Sequence, residues 1–317
     1  MSESQLEMNE TKDPSSEAES SMAKPYSGFQ IAIMSIRPKT LGAAVAPVVM
    51  GSAMAWGEDK FHWLSGFLCL WGALLIQIGT NLANDYFDYI KGADNEKRLG
   101  PVRVTQAGLV KPSTIRLVFL LVFGGAILSC IPIMIRGGWP IIVIGLVSVA
   151  SGIGYTGGRY ALAYTGLADF FVLIFFGPVA VGGTFYLHTL SFSWPVLLLG
   201  LGPGLIAMGL LTVNNLRDID NDREANKLTL AVRFGATFAR MEYLICILAA
   251  ALLPVGVYLW SRERPFSMIA ALVLVVAIPT IRNVFSTRDG HIMNQALAKT
   301  GQMLLLYSIL FSVGWLV

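Results

Sequence analysis

The chain has 317 residues, of which 55% are hydrophobic and only 14% are charged, and its formal net charge is +3. Soluble globular domains carry about 25% charged residues, so this composition excludes an ordinary soluble domain and indicates a membrane protein. The three cysteines, Cys69, Cys130 and Cys246, lie singly in apolar runs, so neither a disulfide framework nor a cysteine metal site is indicated.

The first segment, residues 1–24, is polar, acidic and free of aromatic side chains. Such a composition cannot bury enough apolar surface to fold alone, so we predict a disordered tail. No apolar core of the signal-peptide type follows a basic start, and nothing here indicates cleavage or export. Residues 25–317 are predicted to form one membrane domain.

Nine apolar segments are long enough to cross a hydrocarbon core, which takes about 20 residues as a helix. They lie at about 29–56, 62–86, 113–135, 139–156, 166–188, 193–214, 237–260, 265–284 and 298–317. The first is interrupted by Arg37, Pro38 and Lys39, which is tolerated only where a helix faces protein or water. We therefore predict an all-α integral membrane bundle of nine transmembrane helices.

Lysine and arginine are distributed unevenly about these nine spans. Of the 23 in the chain, the side opposite the N terminus receives only four: Lys60, Arg136, Arg262 and Arg264. Basic residues concentrate on the cytoplasmic side of membrane proteins. We therefore predict that the N terminus is cytoplasmic, together with the loops that follow the second, fourth, sixth and eighth spans.

Two acidic stretches follow the second and sixth spans on this side: NLANDYFDYIKGAD at 81–94 and NNLRDIDNDREANK at 214–227. Residues three, four and seven apart share a helix face, and this spacing joins two sets: Asn81, Asn84, Asp85 and Asp88, and Asn215, Asp218 and Asp222. Carboxylates crowded at a membrane interface need an offsetting charge. Mg²⁺ offers it, because it takes one or two carboxylates while phosphate oxygens and waters complete its shell. We predict Mg²⁺ binding, and through it diphosphate binding, by four aspartates: Asp85, Asp88, Asp218 and Asp222.

Basic side chains follow both stretches and suit the same anion. They are Lys91, Arg98, Arg103, Arg223 and Lys227. The remaining acids of the stretches are interpreted as solvated loop charges, because exposed pairs contribute little.

The paired motifs Asn84-Asp85-x-x-Asp88 and Asp218-x-x-x-Asp222 resemble those of the UbiA superfamily of intramembrane prenyltransferases. The resemblance runs from about residue 30 to the C terminus. It implies a single nine-helix bundle in which the two motifs hold Mg²⁺ and the diphosphate of a polyprenyl donor.

Further stretches are similar to the branch of that superfamily that prenylates 1,4-dihydroxy-2-naphthoate: RPKTL at 37–41, GYTGG at 154–158, LAYTGLAD at 162–169, FFGPVAVGGTFY at 175–186 and KLTLAVRFG at 227–235. This similarity implies prenyl transfer to that naphthoate with loss of its carboxylate, which gives demethylmenaquinol for menaquinone synthesis. It also implies a location in a bacterial plasma membrane, with the active site toward the cytoplasm.

On the donor side, the resemblance implies roles for cations and aromatic rings. Lys91 and Lys227 would bind the departing diphosphate, with Arg98 and Arg223 as helpers. Tyr155, with Tyr164 nearby, would offer an aromatic face to the allylic cation.

On the acceptor side, Asp169 and Arg159 would position the aromatic ring, or else cap a helix or meet a lipid headgroup. The branch usually carries Gly-Glu where this chain has Ala168-Asp169, so the acid is kept in a shorter form.

Other readings stay open at this point. A secondary transporter also uses intramembrane acids, but would place them near the bilayer midplane. A CDP-alcohol phosphatidyltransferase would carry its aspartates in one continuous motif. Within the superfamily, homogentisate, chlorophyllide and 4-hydroxybenzoate are alternative acceptors, and the donor ranges from geranylgeranyl and phytyl to octaprenyl and longer. The expected partners are these substrates and the lipid bilayer; neither nucleic acid nor an obligate protein partner is indicated.

Overall fold

The fold is given by a computed structural model that describes residues 26–93 and 99–317. The predicted tail at 1–24 and the predicted diphosphate ligand Arg98 lie outside the described residues. Within these two ranges all regular secondary structure is helical, which confirms the all-α prediction. Helices suit a lipid environment because they satisfy their backbone hydrogen bonds internally.

The amino-terminal part of the bundle contains α1 (Gly28–Ile36), α2 (Pro38–Trp56), α3 (Trp63–Ile90), α4 (Pro112–Ser129), α5 (Ile131–Gly137) and α6 (Trp139–Gly154). The remainder contains α7 (Leu162–Thr165), α8 (Ala168–Ile174), a π-helical turn (Phe175–Val179), α9 (Ala180–Thr189), α10 (Trp194–Arg217), α11 (Ile219–Glu224), α12 (Leu230–Ser261), a 3₁₀ segment (Pro265–Leu272), α13 (Val273–Ser286) and α14 (Gly290–Leu316).

Seven helical stretches in the described part of the chain are long and apolar enough to cross a membrane: Trp63–Ile90, Pro112–Ser129, Ala168–Thr189, Trp194–Arg217, Leu230–Ser261, Pro265–Ser286 and Gly290–Leu316. The segment expected at 139–156 forms the shorter apolar helix α6. The segment expected at 29–56 is divided between α1 and α2.

The division between α1 and α2 has a local cause. Arg37 has a left-handed backbone with φ of 56° and ends α1, and Pro38 occupies the first turn of α2. Proline is favourable there because the first amides of a helix have no partner within it. The sequence interruption at 37–39 therefore marks a real break.

Close packing of helices positions the site. α10 packs along α12, α3 along α4, and α14 along α2. Glycine permits the closest approach: a side chain at Gly204 of α10 would collide with the backbone carbonyl of Leu173. Small residues are typical of helix contacts in membranes for this reason.

Candidate active site

A cavity of about 470 Å³ runs through the bundle. Side chains of α3 from Leu68 to Asp88 line it, so it follows that helix for about 30 Å at 1.5 Å per residue. One end is lined by polar side chains from both acidic stretches: Asn84, Asp88, Asn214, Asn215, Asp218, Asn221, Asp222 and Lys227. Most of the remaining wall is apolar, so the cavity joins an acidic end to a hydrocarbon-like passage.

Asp88 lies where the two stretches meet. Its side chain is 2% exposed, and its Oδ2 accepts a hydrogen bond from an Arg103 guanidinium nitrogen at 3.0 Å. The Lys227 ammonium lies 3.3 Å from Oδ1, and the Tyr164 hydroxyl donates to the same oxygen over a long 3.5 Å. The buried carboxylate of the first stretch is thus neutralised in part by a lysine of the second.

Asp218 lies at the junction between α10 and α11, so it is the last residue before the chain turns. The guanidinium of Arg217 donates to both of its oxygens. Another nitrogen of Arg217 donates to Asn294 at 2.6 Å, and the guanidinium also reaches Asn214 at 2.9 Å. Arg217 therefore fixes the position of Asp218 on the cavity wall.

Arg217 is a site residue that the sequence reasoning missed. It is nearly fully buried, although it is charged. The sequence did offer one indication, because Arg217 lies between Asn214 and Asp218. A buried arginine needs hydrogen-bond acceptors within reach of its guanidinium group.

Asp222 and Asn84 line the same end of the cavity. Asp222 is half-buried in α11, and its backbone amide donates to the Asp218 carbonyl at 2.8 Å. Asn84 is also half-buried, and its side-chain oxygen accepts from the Thr156 hydroxyl at 2.9 Å. Because Thr156 follows α6, this contact ties the acidic end of α3 to the α6–α7 loop.

Asp85 and Asn81 occupy a different face of α3 and do not contribute to the cavity wall. Asp85 is 2% exposed and accepts from the backbone amides of Val104 at 3.2 Å and Thr105 at 3.4 Å. Asn81 donates to the Ile36 carbonyl at 2.8 Å, where α1 ends. The structure thus uses both side chains to hold neighbouring segments in place.

Two lysines flank the ring of Tyr164. The ammonium of Lys91 lies 4.2 Å from the ring centroid and that of Lys227 lies 5.2 Å from it. Lys91 also donates to the Gly158 carbonyl at 3.0 Å. Burial lowers the pKa of Lys91 below the usual 10.5, with a further decrease from Lys227 and an opposing increase from Asp88. This arrangement concentrates positive charge beside Asp88.

Among the other predicted residues, Tyr155 and Asp169 line the cavity, whereas Arg159 and Arg223 do not. Arg159 is exposed and stacks over Tyr160. Arg223 is exposed and pairs with Asp220 at 3.6 Å.

Within residues 26–93 and 99–317, no three acidic, histidine or cysteine side chains converge closely enough to enclose a metal ion by themselves. The acidic end instead presents separate carboxylate and amide oxygens around an open volume, with cations beside them. Such a site can bind an anionic ligand that brings its own oxygen atoms.

The chain matches the UbiA prenyltransferase family over residues 44–309. A 1,4-dihydroxy-2-naphthoate octaprenyltransferase from Haemophilus influenzae is 36% identical over 300 residues, which cover 89% of this chain and 94% of that protein. Proteins of the same name from Escherichia coli and Mycobacterium tuberculosis are 35% and 33% identical, over 88% and 86% of this chain and 93% and 92% of theirs. The chain belongs to the UbiA prenyltransferase family and is a multi-pass membrane protein.

Solved structures share the fold. A UbiA homolog from Archaeoglobus fulgidus bound to DMAPP and Mg²⁺ superposes with a TM-score of 0.63 at 13% identity, over 89% of this chain and 99% of that chain. A digeranylgeranylglyceryl phosphate synthase superposes with a TM-score of 0.61 at 15% identity, over 91% of this chain and 98% of that chain.

Proposed function

We propose that the protein transfers a polyprenyl group from a polyprenyl diphosphate to 1,4-dihydroxy-2-naphthoate, which loses its carboxylate as carbon dioxide and becomes demethylmenaquinol. Relatives that match most of the chain carry the name of this reaction. The structural observation behind the proposal is the single cavity that joins both acidic stretches to a long apolar passage. A donor with an anionic head and a hydrocarbon tail fits such a cavity.

The seven long apolar stretches, with α2 and α6, make up the nine spans that we propose. Nine spans put the N terminus on the same side as the acidic ends of α3 and α10. The excess of lysine and arginine on that side makes it cytoplasmic. The active site would therefore open toward the cytoplasm of a bacterial plasma membrane, and residues 25–317 would form one membrane domain.

The residues at the acidic end fit Mg²⁺. Asn84, Asp88, Asp218 and Asp222 all place hard oxygen donors on the cavity wall. Because no described cluster encloses an ion, we expect diphosphate oxygens and waters to complete its shell. Mg²⁺ held there would neutralise the diphosphate and make it a better leaving group.

The cations around Asp88 are suited to receive the diphosphate. Arg103 and Lys227 lie within 3.0 Å and 3.3 Å of its oxygens, at the same end of the cavity. The ammonium of Lys91 lies 4.2 Å from the centroid of the Tyr164 ring, close to the same group of cations. Hydrogen-bond donors and cations that are held in place before the reaction stabilise the charge that develops as the carbon–oxygen bond breaks.

Tyr155 is suited to face the carbon that the diphosphate leaves. It lies on the cavity wall and follows α6 directly. The face of an aromatic ring attracts a cation by about 0.5–2 kcal/mol. The passage beyond it is apolar, which excludes water from a reactive allylic centre.

The test is a prenyl-transfer assay on the purified protein in liposomes with Mg²⁺. The donors run from geranylgeranyl to octaprenyl diphosphate, and the acceptors are 1,4-dihydroxy-2-naphthoate, homogentisate and 4-hydroxybenzoate. We expect a decarboxylated prenyl naphthoquinol that disappears on addition of EDTA. Transfer to another acceptor and none to the naphthoate would contradict the proposed acceptor. If the polyprenyl donor kept its diphosphate with every acceptor, prenyl transfer itself would be contradicted.

A further inference from the structure

Asp169 is a buried carboxylate for which the donor side of the reaction has no use. It lies in the first turn of α8, is 2% exposed and lines the cavity. Neither side-chain oxygen has a hydrogen-bond partner in the described structure. Removing a carboxylate from water without compensating hydrogen bonds costs several kcal/mol, so such a group calls for an explanation.

Two ordinary explanations for Asp169 do not fit. α8 begins after Leu167 and has no side-chain cap, so Asp169 does not cap the helix. Its burial also keeps it from a lipid headgroup. Both alternatives that the sequence left for this residue are therefore removed.

The surroundings of Asp169 define the ligand that would satisfy it. Tyr155 shares the cavity wall and lies within electrostatic range of Asp169, Asp88 and Asp222. The cavity wall also includes the apolar Phe171, two residues further along α8. A buried carboxylate without a hydrogen-bond partner can accept a hydrogen bond from a neutral hydroxyl group, and an aromatic ring can pack against the apolar part of the wall. The matching ligand is a flat, apolar ring that carries a hydroxyl group.

We propose that Asp169 binds a ring hydroxyl of the acceptor and takes its proton when the ring attacks the prenyl carbon. This inference rests on the proposed function, because it needs an acceptor with a hydroxyl beside the attacked carbon. In 1,4-dihydroxy-2-naphthoate that group is the C1 hydroxyl, next to the carbon that carries the carboxylate.

The proton returns to the same oxygen in the next step. A bond forms between ring carbon C2 and the allylic carbon, while the diphosphate leaves with the electron pair of the carbon–oxygen bond. The C1 hydroxyl gives its proton to Asp169 and becomes a carbonyl. The resulting β-keto carboxylate loses carbon dioxide, the released pair restores the ring, and Asp169 gives the proton back to the C1 oxygen. Asp169 thus ends in its starting form.

The carboxylate oxygens are covered by neighbouring atoms, so a side-chain rotation must present them to the ring. Within residues 26–93 and 99–317, no hydrogen bond to either carboxylate oxygen would be broken by this rotation. The cost of the rotation is therefore that of a rotamer change, and the hydrogen bond to the acceptor offsets it.

The test compares D169N and D169E with a matched control, E242Q. Glu242 is another buried carboxylate, within electrostatic range of Asp169, but it is not part of the cavity wall. We expect D169N to lower kcat for naphthoate prenylation by about 10²–10⁴-fold, as for loss of a general base. D169E should restore part of the rate, and E242Q should stay close to wild type.

A separate measurement follows the donor side. Binding of geranylgeranyl thiolodiphosphate with Mg²⁺, measured by calorimetry, should be unchanged in D169N, which also shows that the variant is folded. A wild-type rate in D169N, equal losses in D169N and E242Q, or weakened donor binding in D169N would each overturn the assignment.

Methyl ethers of the acceptor locate the proton. The 1-methyl ether cannot give up a proton at C1, so wild type should use it no faster than D169N uses the parent naphthoate. The 4-methyl ether is the steric control and should still react. If wild type prenylates another phenol and not the naphthoate, only the proposed acceptor fails, and D169N is compared on that phenol. Transfer to no hydroxylated ring would overturn both proposals.

Discussion

The two acidic stretches look alike in sequence but differ in structure. Residues 81–90 of the first stretch lie on one continuous helix, α3, where Asn84 and Asp88 face the cavity and Asp85 faces the loop at Val104. The second spans the end of α10 and the short α11, and both Asp218 and Asp222 face the cavity.

The difference arises from helix geometry. On α3, residues four apart form two parallel stripes, so Asn84 and Asp88 share one and Asn81 and Asp85 share the other. Only one stripe can face the cavity. In the second stretch Asp218 and Asp222 are four residues apart, the chain turns at Asp218 between α10 and α11, and both aspartates line the cavity. Asp85 and Asp88 are only three residues apart and fall on different stripes of α3, so the two pairs of acids differ in spacing as well as in role.

The largest effect is expected from removing a carboxylate of the cavity wall. D88N should lower prenyl-transfer kcat by about 1,000-fold, because it removes a carboxylate that is proposed to hold Mg²⁺ and that positions Arg103 and Lys227 beside the diphosphate. The matched control is D220N in the second stretch, since Asp220 is exposed and pairs only with surface cations in the described structure. Equal losses in the two variants would contradict the distinction between wall and surface acids.

A smaller effect is expected at Asp85. An asparagine would set its amide N–H₂ against the backbone amides of Val104 or Thr105, and the loop that carries Arg103 to Asp88 would shift. Changes to such supporting contacts typically cost about 10-fold or somewhat more in activity. Steady-state kinetics of D85N should show the loss mainly in KM for the donor. A loss as large as that of D88N would indicate that Asp85 meets the substrate directly.

The charge of Lys91 should impose a pH limit on donor binding. Burial lowers the pKa of Lys91. As the pH rises, Lys91 therefore loses its proton earlier than an ordinary lysine does. We expect KM for the donor to rise with pH through this range. K91R keeps the charge and should move the rise to higher pH, whereas K111R, at an exposed lysine before α4, should leave the profile unchanged. Identical profiles in K91R and wild type would exclude Lys91 as the titrating group.

The smallest effect on catalysis is expected at Asn81. N81A removes the hydrogen bonds to Ile36 and Thr40 that hold the α1–α2 break, at a cost of about 1–3 kcal/mol in stability. A lower midpoint of thermal unfolding with nearly normal kcat is the expected pair of results. A normal midpoint with lost activity would instead place Asn81 in the substrate site.

Much of the fold could be predicted from the sequence because membrane helices are defined by apolar length. The break at Arg37 was visible, since proline follows it. The break at Cys130 was missed although Pro132 follows it, because a single apolar run was predicted across it.

The site could be predicted only in part. Periodicity groups residues into faces but does not say which face meets the cavity, so Asp85 and Asp88 looked equivalent. Arg217 was missed because its burial depends on Asn294, which is distant in sequence. Tyr155 and Asp169 were selected by resemblance, and the structure adds that both line the same cavity.

The most direct measurement is a structure of the protein with Mg²⁺ and geranylgeranyl thiolodiphosphate. The diphosphate should lie between Asp88 and the pair Asp218 and Asp222, with the prenyl chain along the apolar passage and Asp85 still bound to the loop amides. A diphosphate outside this end of the cavity, or a metal ion on Asp85, would contradict the central claim that the two stretches meet in one catalytic site through one face of α3.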